Sequence, residues 1–369
     1  MFTIKTRSKK SAARIGTLET RHGYVRTPFF MPIATKGAVK TIDAGDLERL
    51  GAEIILSNTY HLMLRPGVEI LRGAGGLHGF MGWKKPILTD SGGFQVLSLS
   101  KFRKVDEDGV GFADPVDGSR HLLTPEKSME VQEAIGSDIA MILDDLIDYP
   151  ATLREASLAL ERTSRWAKRA TEWFGKNASD GRKLFGIVQG STFGDLRRRA
   201  AEKMIEIGFD GYAHGGLSVG EPREQSYELT SIVNEILPEE NPRHLLGIGE
   251  PEDLIEGVLH GVDLFDCVAP TRLGRNGVVY THEGKINLYN AKYIRDFSAL
   301  DKVCGCSTCA HYTKAYIAHL FRSKEMLAAT LASIHNLYFI VELVKDLRES
   351  ILNGNLLAFK ENFLRNYRT

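Results

Sequence analysis

Two aspartates end short apolar runs of this sequence and are the candidates for bond-making chemistry. Asp90 closes PILTD and begins the DSGG of LTDSGGFQV, and Asp266 lies in LFDCV. A turn explains Asp90 about as well as a functional site does, because Asp and Ser both favour turns. Asp266 is harder to assign to a capped turn, since a charge on an apolar strand needs a reason. Two carboxylates suit displacement at a sugar carbon, where one attacks the anomeric carbon and the other transfers a proton.

Three cysteines in CGCSTC form the second candidate for chemistry. Cys304, Cys306 and Cys309 have the spacing of ligands to a tetrahedral metal. The fourth ligand must come from elsewhere in the chain, and His335 in ASIHNLYF is the best placed, at the start of a predicted helix. With four protein ligands the ion, Zn²⁺, would be structural rather than catalytic.

Three further stretches could receive phosphate groups. GIGEPED (247–253) is a glycine-rich turn into a helix, although Pro251 at a helix start explains most of its pattern. TRLGRN (271–276) places Arg272 and Arg275 close to Asp266, where they bind phosphate or are solvated loop charges. AHYTKAYIAHLFRSKE (310–325) is locally basic with interleaved aromatic residues, and a solvated helix face explains it nearly as well.

The elements that must position these residues alternate between apolar runs and helix-like stretches. Eight such runs in about 270 residues predict parallel strands with crossover helices, hence a (β/α)₈ barrel, with an open doubly wound sheet as the rival. The carboxyl ends of barrel strands converge on one mouth, so the polar residues there should meet. The runs are 29–33, 53–57, 86–90, 138–145, 184–190, 211–216, 244–250 and 264–268. The polar residues at their ends are Asp90, Asp144, Gln189, Gly215, Gly216, Gly249, Glu250 and Asp266.

Two segments interrupt this alternation within a single barrel domain, 1–369. Residues 97–123 contain hairpin-like turns and predict a small antiparallel insertion. Residues 281–335 separate the eighth strand from its helix, expected at about 336–352, and form the predicted zinc-binding subdomain. The other predicted helices are 44–50, 125–135, 152–174, 193–207, 223–237 and 252–260.

The composition is that of a globular protein whose basic and acidic side chains balance. Hydrophobic residues make up 43%, charged residues 25%, and 47 basic side chains balance 47 acidic ones. A nucleic-acid partner must therefore meet a local patch. The start lacks the apolar core of a signal peptide, and no run approaches the ~18 apolar residues of a membrane span, which predicts a cytoplasmic protein with no membrane association. In that compartment the four cysteines should be reduced.

These stretches together resemble a known family. LTDSGGFQV, SDIAMILDD, GIVQG, HGGLSVGE, LLGIGEPED, FDCVAPTRLGRNG, CGCSTC and the IHN around His335 are similar, in order, to the bacterial-type tRNA-guanine transglycosylases, or queuine tRNA-ribosyltransferases. The resemblance covers essentially the whole chain. It implies a (β/α)₈ barrel with a zinc module, exchange of the wobble guanine of certain tRNAs for a 7-deazaguanine base in queuosine synthesis, and a homodimer.

The resemblance also implies roles for individual residues. Asp266 would be the nucleophile on the ribose anomeric carbon and Asp90 the general acid/base, on a flat glycine-lined turn against which a planar base slides. Zinc would take Cys304, Cys306, Cys309 and His335. The base site would comprise Asp90, Ser91, Gly92, Gly93, Phe94, Asp144, Gln189 and Gly216. The tRNA contacts would be Gly247, Ile248, Gly249, Glu250, Pro251, Glu252, Asp253, Thr271, Arg272, Leu273, Gly274 and Arg275.

Three positions depart from the bacterial pattern. Leu146 in DDLIDYP stands where bacterial members typically carry cysteine, Leu246 replaces a frequent methionine, and Phe94 replaces a frequent tyrosine. An apolar residue at 146 is the eukaryotic pattern, whereas Val219 keeps the bacterial one. The incoming base therefore stays open between 7-aminomethyl-7-deazaguanine and queuine.

Two other functions compete with base exchange in bacteria. A non-catalytic tRNA-binding partner subunit occurs in the same family, but such a subunit need not keep both Asp90 and Asp266, and this chain has both. Archaeosine-type exchange at another guanine is disfavoured, because the sequence shows no additional C-terminal RNA-binding domain.

Overall fold

Parallel strands dominate the structure, a computed structural model that describes residues 1–99 and 103–367. The strands are β1 (Phe2–Arg7), β2 (Arg14–Thr20), β3 (Gly23–Thr27), β4 (Phe29–Met31), β5 (Ile33–Ala34), β6 (Ile55–Asn58), β7 (Ile87–Asp90), β8 (Arg103–Val105), β9 (Val110–Ala113), β10 (Arg120–Leu123), β11 (Ile139–Met141), β12 (Lys183–Val188), β13 (Gly211–His214), β14 (Arg243–Leu245), β15 (Leu264–Asp266), β16 (Val278–Thr281) and β17 (Gly284–Asn287).

Helices connect the parallel strands and cover them. They are α1 (Ala44–Arg49), α2 (Thr59–Leu64), α3 (Val68–Gly73), α4 (Gly76–Met81), α5 (Gly93–Leu99), α6 (Pro125–Ile135), α7 (Leu153–Asn177), α8 (Gly194–Ile207), α9 (Arg223–Asn234), α10 (Pro251–Leu259), α11 (Ala269–Arg275), α12 (Ser307–His311), α13 (Lys314–Arg322), α14 (Met326–Leu352) and α15 (Leu356–Asn366). A 3-10 helix spans Ala291–Arg295.

The parallel sheet closes on itself, which confirms the predicted barrel. Within the described ranges the strand order is β4-β15-β14-β13-β12-β11-β7-β6-β5. β4 and β5 are one strand position interrupted at Pro32, whose missing N–H cannot join the ladder while its carbonyl still accepts from Leu56 N (3.0 Å). Because β4 pairs with β15 and β5 pairs with β6, the sheet has no free edge and the open doubly wound alternative is wrong.

Side chains alternate between the two faces of each strand, and this alternation places the site residues on the inner side at the barrel mouth. Leu88 packs in one buried cluster with Phe29 and Leu264, while their neighbours Ile87 and Phe265 pack in another, toward the helices. Side chains two residues apart share a face, so Asp90 and Asp266 follow Leu88 and Leu264 on the inner side. Both aspartates are the last residues of their strands.

The amino-terminal end of the barrel is covered by an antiparallel meander that sequence reasoning missed. β1, β2 and β3 pair in order, and Leu18 and Val25 are buried against the barrel cluster. His22 lies in the turn between β2 and β3, and its Nδ1 is 2.7 Å from Asp138 Oδ1, a contact that anchors the turn. The meander therefore closes the end opposite the polar residues.

A second antiparallel sheet lies between α5 and α6. β9 pairs with β8 and with β10, the kind of insertion predicted between the third strand and its helix. The first part of the predicted segment differs, because residues 97–99 belong to α5. Residues 100–102 lie outside the described residues.

The segment after β15 corrects one expectation. The last barrel helix, α14, begins at Met326 and not at about 336, because the apolar run that follows Glu325 continues one helix through the predicted start. His335 therefore lies inside α14. By length and composition alone, α14 is the described helix that could cross a membrane, but 72% of its most apolar window is buried inside the protein.

Candidate active site and metal centre

A cavity of about 550 Å³ opens at the carboxyl ends of the barrel strands. Its walls come from loops after several strands, which is where barrel enzymes place their active sites. The lining includes five of the predicted polar residues. These are Asp90, Asp144, Gly215, Gly216 and Asp266.

Asp90 is held by three donors and burial shifts its titration. Asn58 Nδ2 donates to Oδ2 (2.6 Å), and the amides of Thr59 and Gly92 donate to Oδ1 (3.2 and 3.1 Å). Burial raises the pKa of Asp90 to about 7, the charge of Asp266 adds to the increase, and the three hydrogen bonds oppose it. A carboxyl group with this pKa both gives and accepts a proton near neutral pH.

The turn after Asp90 brings the backbone close to α2. Gly92 has φ +86°, and a Cβ at this position would lie 2.9 Å from Tyr60 N, so only glycine fits. Ser91 is buried, and its Oγ accepts from Gly93 N (3.3 Å). Phe94, in contrast, is 48% exposed and lines the cavity. The predicted glycine-lined surface is thus present beside an accessible aromatic ring.

Asp144 and Gln189 form a buried pair across from this turn. Gln189 Nε2 donates to Asp144 Oδ2 at 2.5 Å. Burial raises the pKa of Asp144 to about 6, against hydrogen bonds from Gln189 and Ser91. Gly216 has φ +63°, and a Cβ there would lie 2.7 Å from Gln189 Oε1. Asp144 and Gly216 therefore line the cavity, and buried Gln189 is bonded to Asp144.

Arg197 holds the loop that contains Gly215 and Gly216, and it was not predicted from the sequence. Its Nη2 donates to the carbonyls of Gly215 (2.9 Å) and Gly216 (3.2 Å), and its Nε to that of Ser191 (2.7 Å). The side chain is fully buried, and burial lowers its pKa to about 9. Its position in LRRRAAEK gave no signal, because that stretch reads as a solvated helix face.

Asp266 completes the inner wall. Its Oδ1 accepts from Gly247 N (3.3 Å) and lies 2.7 Å from His244 Nε2. Asp266 is 7% exposed and lines the cavity, so its carboxylate can meet a ligand there. His244 was not singled out from the sequence, because a histidine in HLLGIGE has no neighbour that marks its function.

The glycine-rich turn 247–253 is used partly within the protein. Gly247 N binds Asp266, Glu250 Oε2 pairs with Lys285 (3.1 Å), and buried Asp253 accepts from Tyr227. Glu252 and Asp253 also lie in the first turn of α10. The predicted phosphate contact of this turn stays a prediction.

Arg272 and Arg275 lie on helix α11 rather than on a loop. Gly274 allows the helix to pack tightly, since a Cβ there would lie 2.9 Å from Ser333 Cα of α14. Arg272 is exposed at the cavity and Arg275 is partly buried. Buried Thr271 faces the other way.

A cluster of four cations includes Arg272, which lines the cavity. Burial lowers the pKa of Lys40, and the charges of Arg275, Lys36 and Arg272 lower it further. In the described part of the chain, none of these four side chains forms an ion pair within 4.0 Å. Like charges gathered without acidic partners favour binding of an anion. Lys36 and Lys40 were missed because both follow β5 as isolated lysines.

Three thiols and one imidazole form a candidate metal centre. The Sγ atoms of Cys304, Cys306 and Cys309 lie 3.6, 3.5 and 3.3 Å from His335 Nδ1. Four ligands at ordinary Zn–S and Zn–N bond lengths on a tetrahedron give sulfur–nitrogen separations of about 3.5 Å. The cluster therefore fits a tetrahedral metal ion with a Cys₃His ligand set.

The surrounding bonds orient these ligands. His335 Nε2 donates to the Tyr280 carbonyl (2.6 Å), which leaves the Nδ1 lone pair facing the thiols. The next residue, Asn336, donates to the carbonyls of Pro270 and Val278 (both 3.0 Å). Consecutive residues of α14 thus tie the metal centre to α11, which carries Arg272.

Known proteins match this chain along nearly its entire length. A sequence model of the family described as "Queuine tRNA-ribosyltransferase" covers residues 8–369. The chain belongs to this family. Three bacterial relatives bear the same name. The protein of Caldanaerobacter subterraneus is 52% identical over 99% of this chain and 97% of its own length. That of Pelotomaculum thermopropionicum is 51% identical over 99% and 98%, and that of Dictyoglomus turgidum 52% over 100% and 95%.

The three predicted departures from the bacterial pattern of queuine tRNA-ribosyltransferases lie on the cavity wall. Leu146, Leu246 and Phe94 all line the cavity, as does Val219, which is 36% exposed. Phe94 offers a ring face without a hydroxyl. Part of the cavity wall is therefore built from apolar side chains at 146 and 219.

The basic helix predicted near the cysteines is mostly engaged within the protein. Lys314 on α13 pairs with Asp296 (3.3 Å), and Arg322 donates to the carbonyls of Tyr289 (2.7 Å) and Ala318 (2.9 Å). These cations stabilise the fold around the metal centre. The rim cluster of Lys36, Lys40, Arg272 and Arg275 is the stronger candidate for phosphate.

Proposed function

We propose that this protein exchanges the wobble guanine of target tRNAs for a 7-deazaguanine base by double displacement through a covalent Asp266–ribosyl intermediate. The observation that carries the proposal is the pairing of two carboxylates at one cavity: Asp90, with a pKa of about 7, and Asp266, held by donors on Oδ1. One is suited to proton transfer and the other to attack.

The base-reading role falls to the Asp144–Gln189 pair. A guanine-like edge offers N–H donors beside a carbonyl oxygen, which match the carboxylate of Asp144 and the amide of Gln189 with the Gly216 N–H. Donors from the base stabilise ionised Asp144 and so oppose the increase in its pKa caused by burial. Ser91, Gly92, Gly93 and Phe94 form the surface along which the ring lies.

The first displacement breaks the bond between ribose C1′ and guanine N9. Asp266 forms an ester bond at C1′, the electron pair of the broken bond passes to N9, and protonated Asp90 supplies the proton to the leaving base. At neutral pH a group with a pKa of about 7 is partly protonated, so the acid form is available without a large energetic cost.

The second displacement reverses these roles. Asp90, now ionised, removes the N9 proton of the incoming base as N9 attacks C1′, and Asp266 leaves as a carboxylate. Asp90 ends the cycle protonated, as it began. The same two residues therefore serve both halves, as microscopic reversibility requires.

The rim cluster is proposed to hold the anticodon loop. Arg272 lines the cavity, and Lys36, Lys40 and Arg275 are close enough for their charges to interact with one another or with Arg272. None of the four has an acidic partner in the described chain, so phosphates on each side of a bound nucleotide would meet them. The turn 247–253 and residues 271–275 retain the tRNA-binding role that the family resemblance implies.

We also propose that the metal ion is Zn²⁺, one per chain, and structural. All four ligands of the Cys₃His set come from the protein, which leaves no open position for chemistry. The family resemblance further implies a cytoplasmic homodimer. Phe297, Val303 and Met326 are 77%, 71% and 88% exposed, and exposed apolar side chains of this kind are typical of a surface that a partner chain covers.

The direct test is incorporation of labelled guanine into an unfractionated tRNA pool, with a denaturing gel to detect covalent protein–tRNA. Wild-type protein should do both, and Asp266→Asn should do neither while keeping its fold and metal. Competition by 7-aminomethyl-7-deazaguanine and by queuine then identifies the incoming base. A denaturation-resistant band of normal intensity from Asp266→Asn would refute the nucleophile assignment.

A further inference from the structure

His244 is the histidine in contact with the proposed nucleophile. It lies on β14, the strand adjacent to β15, where its Cα pairs with Leu264, two residues before Asp266. Its side chain is fully buried, and Nε2 lies 2.7 Å from Asp266 Oδ1. A buried histidine aimed at a carboxylate at the barrel mouth is placed for more than packing.

The hydrogen-bond network assigns the tautomer of His244. Nε2 faces a carboxylate oxygen and must therefore carry the proton, whereas Nδ1 is buried with no partner among the described residues. A buried nitrogen without a partner is unfavourable, and an apolar side chain would avoid that cost. Retaining a histidine here gives Asp266 a donor.

The two donors to Asp266 converge on one of its oxygens. His244 Nε2 and Gly247 N both bind Oδ1, and the described chain offers no hydrogen bond to Oδ2. Oδ1 is thereby fixed, and rotation about the Cβ–Cγ bond is restricted. Oδ2 keeps its lone pairs for attack on C1′.

We propose that His244 is a positioning residue that orients Asp266 through Oδ1 and favours release of its ester. This inference rests on the proposed double displacement. The Nε2–H bond is stronger to a carboxylate than to the neutral carbonyl oxygen that Oδ1 becomes in the ester. His244 therefore stabilises the free carboxylate relative to the ester and aids the second displacement, in which Asp266 leaves.

Replacing His244 by leucine should separate rate from equilibrium. Loss of orientation lowers kcat for guanine exchange by roughly 10–100-fold, while KM for the base, set by Asp144 and Gln189, stays within about twofold. The fraction of tRNA trapped covalently at equilibrium, at fixed free guanine, should rise about fivefold. The reason is that the free carboxylate loses the charged hydrogen bond that stabilises it relative to the ester. General damage to the site would lower both quantities.

Conservative variants keep the proposal testable if leucine is not tolerated. His244→Gln places an amide N–H near the position of Nε2 and should restore both values. His244→Asn places one near Nδ1, cannot reach Oδ1, and should behave as leucine does. His214→Leu is the matched control, because His214 is equally buried, has an unpartnered Nδ1, and binds Asn234 (3.0 Å) instead of Asp266.

The outcomes separate two failures. If His244→Leu keeps wild-type kcat and trapped fraction, or if His214→Leu changes both in the same way, His244 has no positioning role. If wild-type protein exchanges guanine but forms no covalent complex under any condition, the double displacement itself is wrong.

Discussion

Asp90→Asn should make the protein more stable above neutral pH while abolishing exchange. Burial raises the pKa of this carboxyl group from 3.8 to about 7, so the folded protein binds a proton between these values that the unfolded chain does not. Stability then falls as pH rises through this window and is level above about pH 7. Asparagine cannot ionise, so the variant avoids this loss.

The size of the effect follows from that pKa. A change from 3.8 to about 7 corresponds to about 4 kcal/mol, at ~1.36 kcal/mol for each tenfold change in the proton equilibrium. This is a ceiling, because Asp90 is partly open to the cavity. The new amide also faces Asn58 Nδ2, a donor that now lies 2.6 Å from Oδ2, which costs about 1–2 kcal/mol. We therefore expect a gain of roughly 2–3 kcal/mol at pH 8, falling to or below zero near pH 4.

Urea unfolding at several pH values, followed by tryptophan fluorescence, measures this difference directly. Trp83 and Trp166 are fully buried and report loss of the core. Asp180→Asn, at an exposed aspartate, is the control and should show no pH-dependent difference from wild type. A stability difference for Asp90→Asn that is the same at pH 8 and pH 4.5 would show that this carboxyl group is not protonated in the folded protein near neutral pH.

Three other predictions concern the metal, the tRNA and the base. Cys306→Ser should lose the bound metal ion by elemental analysis and weaken tRNA binding, since His335 and Asn336 connect the metal centre to α11; unchanged tRNA affinity in the metal-free variant would break that connection. Arg272→Ala should weaken binding of all substrate tRNAs alike and reduce the slope of log K against log salt by about 0.7–0.9 per lost phosphate contact, whereas an unchanged slope would remove Arg272 from the phosphate contacts. Leu146→Cys should change the ratio of kcat/KM values for queuine and 7-aminomethyl-7-deazaguanine by a factor that corresponds to ~1–3 kcal/mol. Identical ratios in the variant and the wild type would make Leu146 a packing residue only.

The class of fold and most residues of the candidate site can be predicted from the amino-acid sequence alone. Apolar runs that end in Asp90, Gln189 or Asp266 required buried parallel strands whose polar ends meet, because this alternation has few other solutions. The Cys304–Cys309 spacing predicted a metal-binding turn for the same kind of local reason. These conclusions depend on residue type and spacing within short segments, which a sequence displays directly.

The residues that support that chemistry become apparent only in the folded chain. His244 lies 22 positions before Asp266, and the pairing of β14 with β15 brings them together. Lys40 is more than 200 positions from Arg275, and barrel closure brings these two close together. The pKa of Asp90 likewise depends on burial against α2 and on the charge of Asp266, neither of which its own segment reveals. Electrostatics and hydrogen bonding act through space, so the partners of a catalytic residue become visible only when the chain is folded.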